Sequence, residues 1–186
     1  MIRLFAFCIL LGLALIGSAI AEDVAPAEPE TFRFDNYRAP TPQGLRGART
    51  VTTPEAAELW RSGKAVFIDV LPRPPRPDNL PAGTIWHEKV RLDIPGSIWL
   101  PNTGYGALSP SMEHYLEAGL DRVTSVDRDK VLVFYCQQDC WMSWNAAKRA
   151  LSWHFAHVVW YPEGTDGWAN GGLPLAEAQP ITDQND

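Results

Sequence analysis

The run Val131-Leu132-Val133-Phe134-Tyr135 places five apolar or aromatic side chains in a row, between the charged turn Asp127-Arg128-Asp129-Lys130 and a polar loop. Five residues are too few for a helix with a packed face. A strand with no polar alternation has no side to turn to water, so it must be covered on both faces. Two further stretches share this character, Ala65-Val66-Phe67-Ile68-Asp69-Val70 and His157-Val158-Val159-Trp160-Tyr161. Helical patterns separate them, which predicts an α/β domain with a mainly parallel central sheet flanked by helices in three layers.

The helices announce themselves by their ends. Thr53 followed by Pro54 predicts an N-cap and first turn, with a short helix to about Arg61. Ser109-Pro110 predicts another, to about Ala118, burying Met112, Tyr115 and Leu116. A third runs from about Trp141 to Trp153, with Trp144, Ala147 and Leu151 on one face. Ile94 to Leu100 reads as a turn and a short strand, and Glu163 to Gly172 as a glycine-rich loop. Residues 71 to 81 hold five prolines and can be neither helix nor central strand. They form a stiff loop that carries Arg73 and Arg76.

The first 21 residues have a short cationic start, an apolar stretch from Leu4 to Ile16 and the small-x-small sequence Ala19-Ile20-Ala21. That pattern predicts a secretory signal, a mature chain starting at Glu22 and a periplasmic protein with no membrane segment after cleavage. Residues 22 to 47 read as a linker and arm, with Phe32 to Tyr37 on the domain surface; residues 48 to 176 read as the domain and 177 to 186 as a tail. A formal net charge of −6 without a basic block gives no electrostatic basis for binding nucleic acid or anionic lipid.

With the signal removed, Cys136 and Cys140 are the two cysteines left, and in an oxidising compartment they are expected to pair. Such a short bridge adds only about 2 kcal/mol in the chain-entropy model, so chemistry is the better reason for it. The loop Cys136-Gln137-Gln138-Asp139-Cys140-Trp141 follows the central strand and precedes a helix, at the edge of the sheet where ligands bind. No cofactor is called for. Cys136, Cys140 and a histidine lack the local spacing of a zinc site, and His154 and His157 straddle a helix-to-strand junction, so no metal is expected either.

Several pieces in order resemble a rhodanese, or sulfurtransferase, domain over about residues 48 to 176. They are Phe67-Ile68-Asp69-Val70, the turn Ile94-Pro95-Gly96-Ser97, the strand Val133-Phe134-Tyr135-Cys136 and the closing segment from Glu163-Gly164 through Trp168 to Gly171-Gly172-Leu173-Pro174. The run from Cys136 to Arg149, with the Pro-Arg-Pro-Pro-Arg-Pro loop, is similar to the exported family associated with PQQ-dependent catabolism and named for a CxxCW motif. Here three residues separate the cysteines.

The resemblance implies that Cys136 is a nucleophile that holds sulfane sulfur as a persulfide, ringed by inward-facing backbone amides. It also implies a small sulfur donor or acceptor, or a thiol protein, as partner, with a PQQ-dependent dehydrogenase system nearby. The loop carries no Lys or Arg, and Asp139 disfavours a thiolate, so Arg73 or Arg76 is expected to fold over the site. Cys140 offers a resolving thiol. Asp69 either orients the site or caps a backbone turn, and Trp141 flanks the cysteines, in place to stack on a flat cofactor such as PQQ. Three readings stand open: sulfur transfer, thiol–disulfide chemistry, and a catalytically silent module docking a quinoprotein or cytochrome.

Overall fold

In the computed structural model, residues 25–182 are described, so the secretory signal expected at residues 1 to 21 lies outside them. The three apolar runs become β2 (Ala65–Asp69), β5 (Val131–Tyr135) and β6 (His157–Trp160). They pair in parallel, β5 between the other two, and two-residue strands close the edges. β1 (Arg49–Thr50) lies beside β6, and β4 (Ile98–Trp99) lies beside β2. Antiparallel β3 (Arg91–Asp93) and β7 (Ala176–Ala178) form a separate ribbon.

Helices cover both faces, as strands without polar alternation require. On one face α2 (Pro110–Thr124) and α3 (Trp141–Ser152) pack Leu116, Leu120, Trp144 and Ala147 against Leu132, Phe134 and Trp160. On the other, α1 (Thr53–Ser62) and α4 (Gly164–Asn170) set Ala56, Ala57 and Trp168 against Phe67, Val133 and Tyr135. The strand alternation sorts these sets: Leu132 and Phe134 face one way, Val133 and Tyr135 the other. Among the described residues no helix is long and apolar enough to cross a membrane.

Four expectations need correction. The cap of α1 is Thr52, one residue earlier than expected; the Glu55 carboxylate accepts from its backbone N–H at 2.9 Å. α2 runs past Ala118 to Thr124 because Leu120 is a core residue that the next helical turn must carry inward. The glycine-rich stretch is helical over Gly164–Asn170, anchored by buried Trp168, whose indole N–H donates to the Pro174 carbonyl at 2.7 Å. Residues 177–182 of the expected tail are part of the fold: β7 pairs with β3, and the Ile181 N–H donates to the Trp99 carbonyl at 3.1 Å.

The arm also does more than lie on the surface. Leu45 is a buried core residue, and the segment from Pro29 to Gly44 is bonded along α3.

Candidate functional site

Cys136 follows the last residue of β5, and Cys140 is the N-cap of α3. The strand alternation continues through the loop entry, so Cys136 points into the α2/α3 side of the core. The two cysteines are joined in a disulfide with Cα atoms 6.5 Å apart, inside the range such a bridge accepts. Cys136 is 0% exposed and Cys140 2%. The sequence placed the sulfur at the carboxyl edge of a central strand; it did not foresee that the sulfur is sealed.

Two structural features seal it. On one side α4 closes in: the Cys136 carbonyl accepts from the Thr165 N–H at 3.0 Å and from its hydroxyl at 3.2 Å. Gly164 makes this approach possible. It has a φ of 54°, and a Cβ there would lie 2.6 Å from the Cys136 carbonyl oxygen. On the other side the arm pairs with the loop as a short antiparallel bridge, Arg38 opposite Cys140. The Ala39 N–H donates to the Asp139 carbonyl at 3.1 Å and the Trp141 N–H to the Tyr37 carbonyl at 2.9 Å.

The expected ring of inward-facing amides is therefore broken. The Trp141 amide goes to the arm, and the Gln138 amide to Asp166 Oδ2 at 3.2 Å. Cys136 Sγ instead lies 3.4 Å from the Cys140 carbonyl oxygen and 3.8 Å from that of Gln137. Carbonyl dipoles in a buried site oppose a standing sulfur anion. A neutral disulfide suits the place. Gln137 is half-buried, Gln138 and Asp139 are exposed, and Asp139 holds a φ of 51°, which a short polar side chain tolerates.

Neither proline-loop arginine folds over this loop in the manner expected. Arg73 is paired with both carboxylate oxygens of Glu88, and its N–H donates to Asn102 Oδ1 at 3.2 Å; Arg76 is exposed in the loop. The cations beside the loop come from the arm. Arg38 faces Cys140 in a pair whose flanking hydrogen bonds mark it as the narrow kind, with side chains on one side of the ladder. The Arg33 guanidinium lies 5.2 Å from the Trp141 ring centroid. Both were missed because the arm has no periodicity to place it.

Trp141 is not free to stack on a cofactor. It is 2% exposed, its indole N–H donates to the Pro40 carbonyl at 3.1 Å, and Trp144 meets it edge-on at 5.5 Å. Outside it the arm leaves a cleft of about 310 Å³ lined by Phe32, Arg33, Phe34 and Trp141.

Asp69, level with Tyr135 across the β2–β5 ladder, caps a turn through Leu71 N–H at 2.9 Å and accepts from Arg91 Nε at 2.6 Å. Burial raises its carboxyl pKa, and the Arg91 charge opposes that. Arg91 was overlooked in the sequence. The one available signal was that an acid ending an apolar strand needs a cation from somewhere.

The rhodanese-like domain model matches residues 52–171 of the chain. No curated protein matches it. Similar solved structures include the polysulfide-sulfur transferase homodimer of Wolinella succinogenes, at 18% identity over 75% of this chain and 84% of that one, with a TM-score of 0.45. The human single-domain sulfurtransferase is similar at 24% identity over 66% and 96%, with a TM-score of 0.40. EanB, solved as a cysteine persulfide with ergothioneine, is similar at 22% identity over 76% of this chain and 34% of its own, with a TM-score of 0.50. At such identities the likeness concerns the fold.

Proposed function

The chain belongs to the rhodanese-like domain family, and from that premise we propose that Cys136 and Cys140 work together as a persulfide-handling dithiol whose resting form is the disulfide. One observation carries this reading: the two sulfurs are bridged at the carboxyl end of the central strand. A thiol reductant opens the bridge to two thiols. The Cys136 thiolate attacks the sulfane sulfur of a donor persulfide or polysulfide, forming Cys136–S–SH and releasing the donor's thiolate. Cys140 then attacks the inner sulfur of Cys136, the disulfide re-forms, and hydrosulfide leaves with the outer sulfur. Two thiols are oxidised as one sulfane sulfur is reduced, so electrons balance.

The local charges support this order of events. Asp139 and Asp166 border the loop, whereas Arg38 and Arg33 approach from the arm. A persulfide anion here is short-lived, and an internal resolving thiol disposes of it without a cationic cradle.

The test uses reduced protein freed of reductant and then given glutathione persulfide. Wild type should release one hydrosulfide per chain and return to the bridged mass. Cys140→Ser should keep one added sulfur on Cys136, and Cys136→Ser should do neither. No release from wild type with several donors would end this reading and leave the silent docking module, for which the burial of both sulfurs speaks.

We further place the protein in the periplasm, as an accessory to PQQ-dependent alcohol oxidation. The export pattern of residues 1 to 21 and the likeness of the Cys136–Arg149 run support this. N-terminal sequencing of the exported chain should begin at Glu22, and a deletion strain should grow poorly on alcohols; normal growth would remove the association.

A further inference from the structure

Two residues expected beside the cysteines lie instead at another cleft, Arg73 in its wall and Asp69 behind it. Between the end of β4 and the β3–β7 ribbon lies a cleft of about 100 Å³, lined by Arg73, Glu88, Lys89, Arg91, Trp99 and Pro180. Asp69 stands behind it, bonded to Arg91. We propose that this cleft is a binding site for a small oxyanion of about sulfate size, distinct from the disulfide and independent of its chemistry.

Charge is the first argument. Three cations line the cleft against one carboxylate, in a chain whose net charge is −6. Glu88 is committed to Arg73 and Asp69 to Arg91, so Lys89 supplies the surplus. Built geometry is the second. The Arg91 side chain is 9% exposed, and its Nε is fixed by Asp69 at 2.6 Å. Its Nη2 is buried without a hydrogen-bond partner among the described residues. A guanidinium held at one edge by a buried carboxylate is oriented before any ligand arrives, and the part of Arg91 that lines the cleft, rather than the sealed Nη2, suits planar or tetrahedral oxyanions.

The walls are the third argument. The Trp99 indole N–H donates to the Leu71 carbonyl at 2.8 Å, which fixes the ring, and Trp99 bridges to Pro180 so that the C-terminal segment closes one side. The cleft lies at the carboxyl ends of β2 and β4, the edge of the sheet where Cys136 follows β5. Open α/β sheets bind ligands along this edge. A volume near 100 Å³ admits sulfate, phosphate or thiosulfate.

The test is a ¹⁵N-resolved titration of the exported chain with sodium sulfate, ionic strength being held constant with chloride so that general salt effects cancel. Saturable shifts are expected at the Trp99 indole N–H and at the amides of Ala178 and Gln179. Thiosulfate and phosphate should displace sulfate from the same resonances. Lys89→Glu and Arg73→Ala change side chains at the rim; each should weaken binding at least fivefold. The double variant Cys136→Ser, Cys140→Ser should bind as wild type, whatever becomes of sulfur transfer. Shifts that grow linearly without saturating, or unchanged affinity in both rim variants, would overturn the site.

Discussion

Asp93 ends β3, 3% exposed, with its Oδ2 lacking a hydrogen-bond partner among the described residues. Burial first, and then the charge of Asp69, push its carboxyl up to about 7, with Arg91 opposing. The unfolded chain ionises this acid near pH 3.8, so between about pH 4 and 7 the folded state binds the extra proton. Stability conferred by that proton is complete below the unfolded value and is lost as pH rises through the folded one. Asp93→Asn, a neutral mimic, should raise the urea midpoint at pH 8 and leave it nearly unchanged at pH 4. An equal effect at both would show that the carboxyl's charge is not the cause. The sequence hid this residue. Asp93 was one of many acids, and its environment is made by Asp69 and Tyr135 from other strands. Cys136, by contrast, was legible because it directly follows an unmistakable strand.

The arm and α3 act as one element, and Asn145 is their clasp. Buried at 0% exposure, its Nδ2 donates to the Arg33 carbonyl at 2.9 Å and the Gly104 carbonyl at 3.0 Å, and its Oδ1 accepts from the Arg33 N–H at 2.9 Å. Asn145→Ala strands these backbone groups, which should cost about 2–3 kcal/mol. It should also loosen the arm over Cys140, so phosphine should reduce the disulfide several-fold faster than in wild type. Urea unfolding and the reduction rate check the two halves, and unchanged reduction would mean that the arm does not guard the sulfurs. This union could not be read in advance. The continuous apolar runs of β2, β5 and β6 were visible, as were the capping signals near the starts of α1 and α2 and the apolar face of α3. β4 was legible from the turn before it, whereas the two- and three-residue strands β1, β3 and β7 have no period to detect. The arm is held through backbone carbonyls, which every residue has, so its sequence carries no mark of where it binds.

The proposed dithiol–disulfide cycle requires a fold that stands in both states, and the two sulfurs are small members of a core filled mainly by larger side chains. The centre of the sheet is held by Phe134, Trp144 and Trp160 on one face and by Phe67, Tyr135 and Trp168 on the other, with helices across each. The disulfide closes a loop with a sequence separation of only 4, so reduction should cost about 2 kcal/mol by loop entropy. For a domain of this size that is a fall of roughly 4–8 °C in Tm. The reduced protein should therefore melt cooperatively at a slightly lower temperature, with its near-ultraviolet tryptophan signal intact. Two sulfurs buried in an apolar cluster also release their constraint locally: the loop and the facing arm should lose hydrogen-exchange protection on reduction, while β5 and β6 keep theirs. If reduction instead abolishes the tryptophan signal or the cooperative transition, the bridge is a structural staple. A staple of that kind cannot be opened in every turnover, and the dithiol cycle would fall with it.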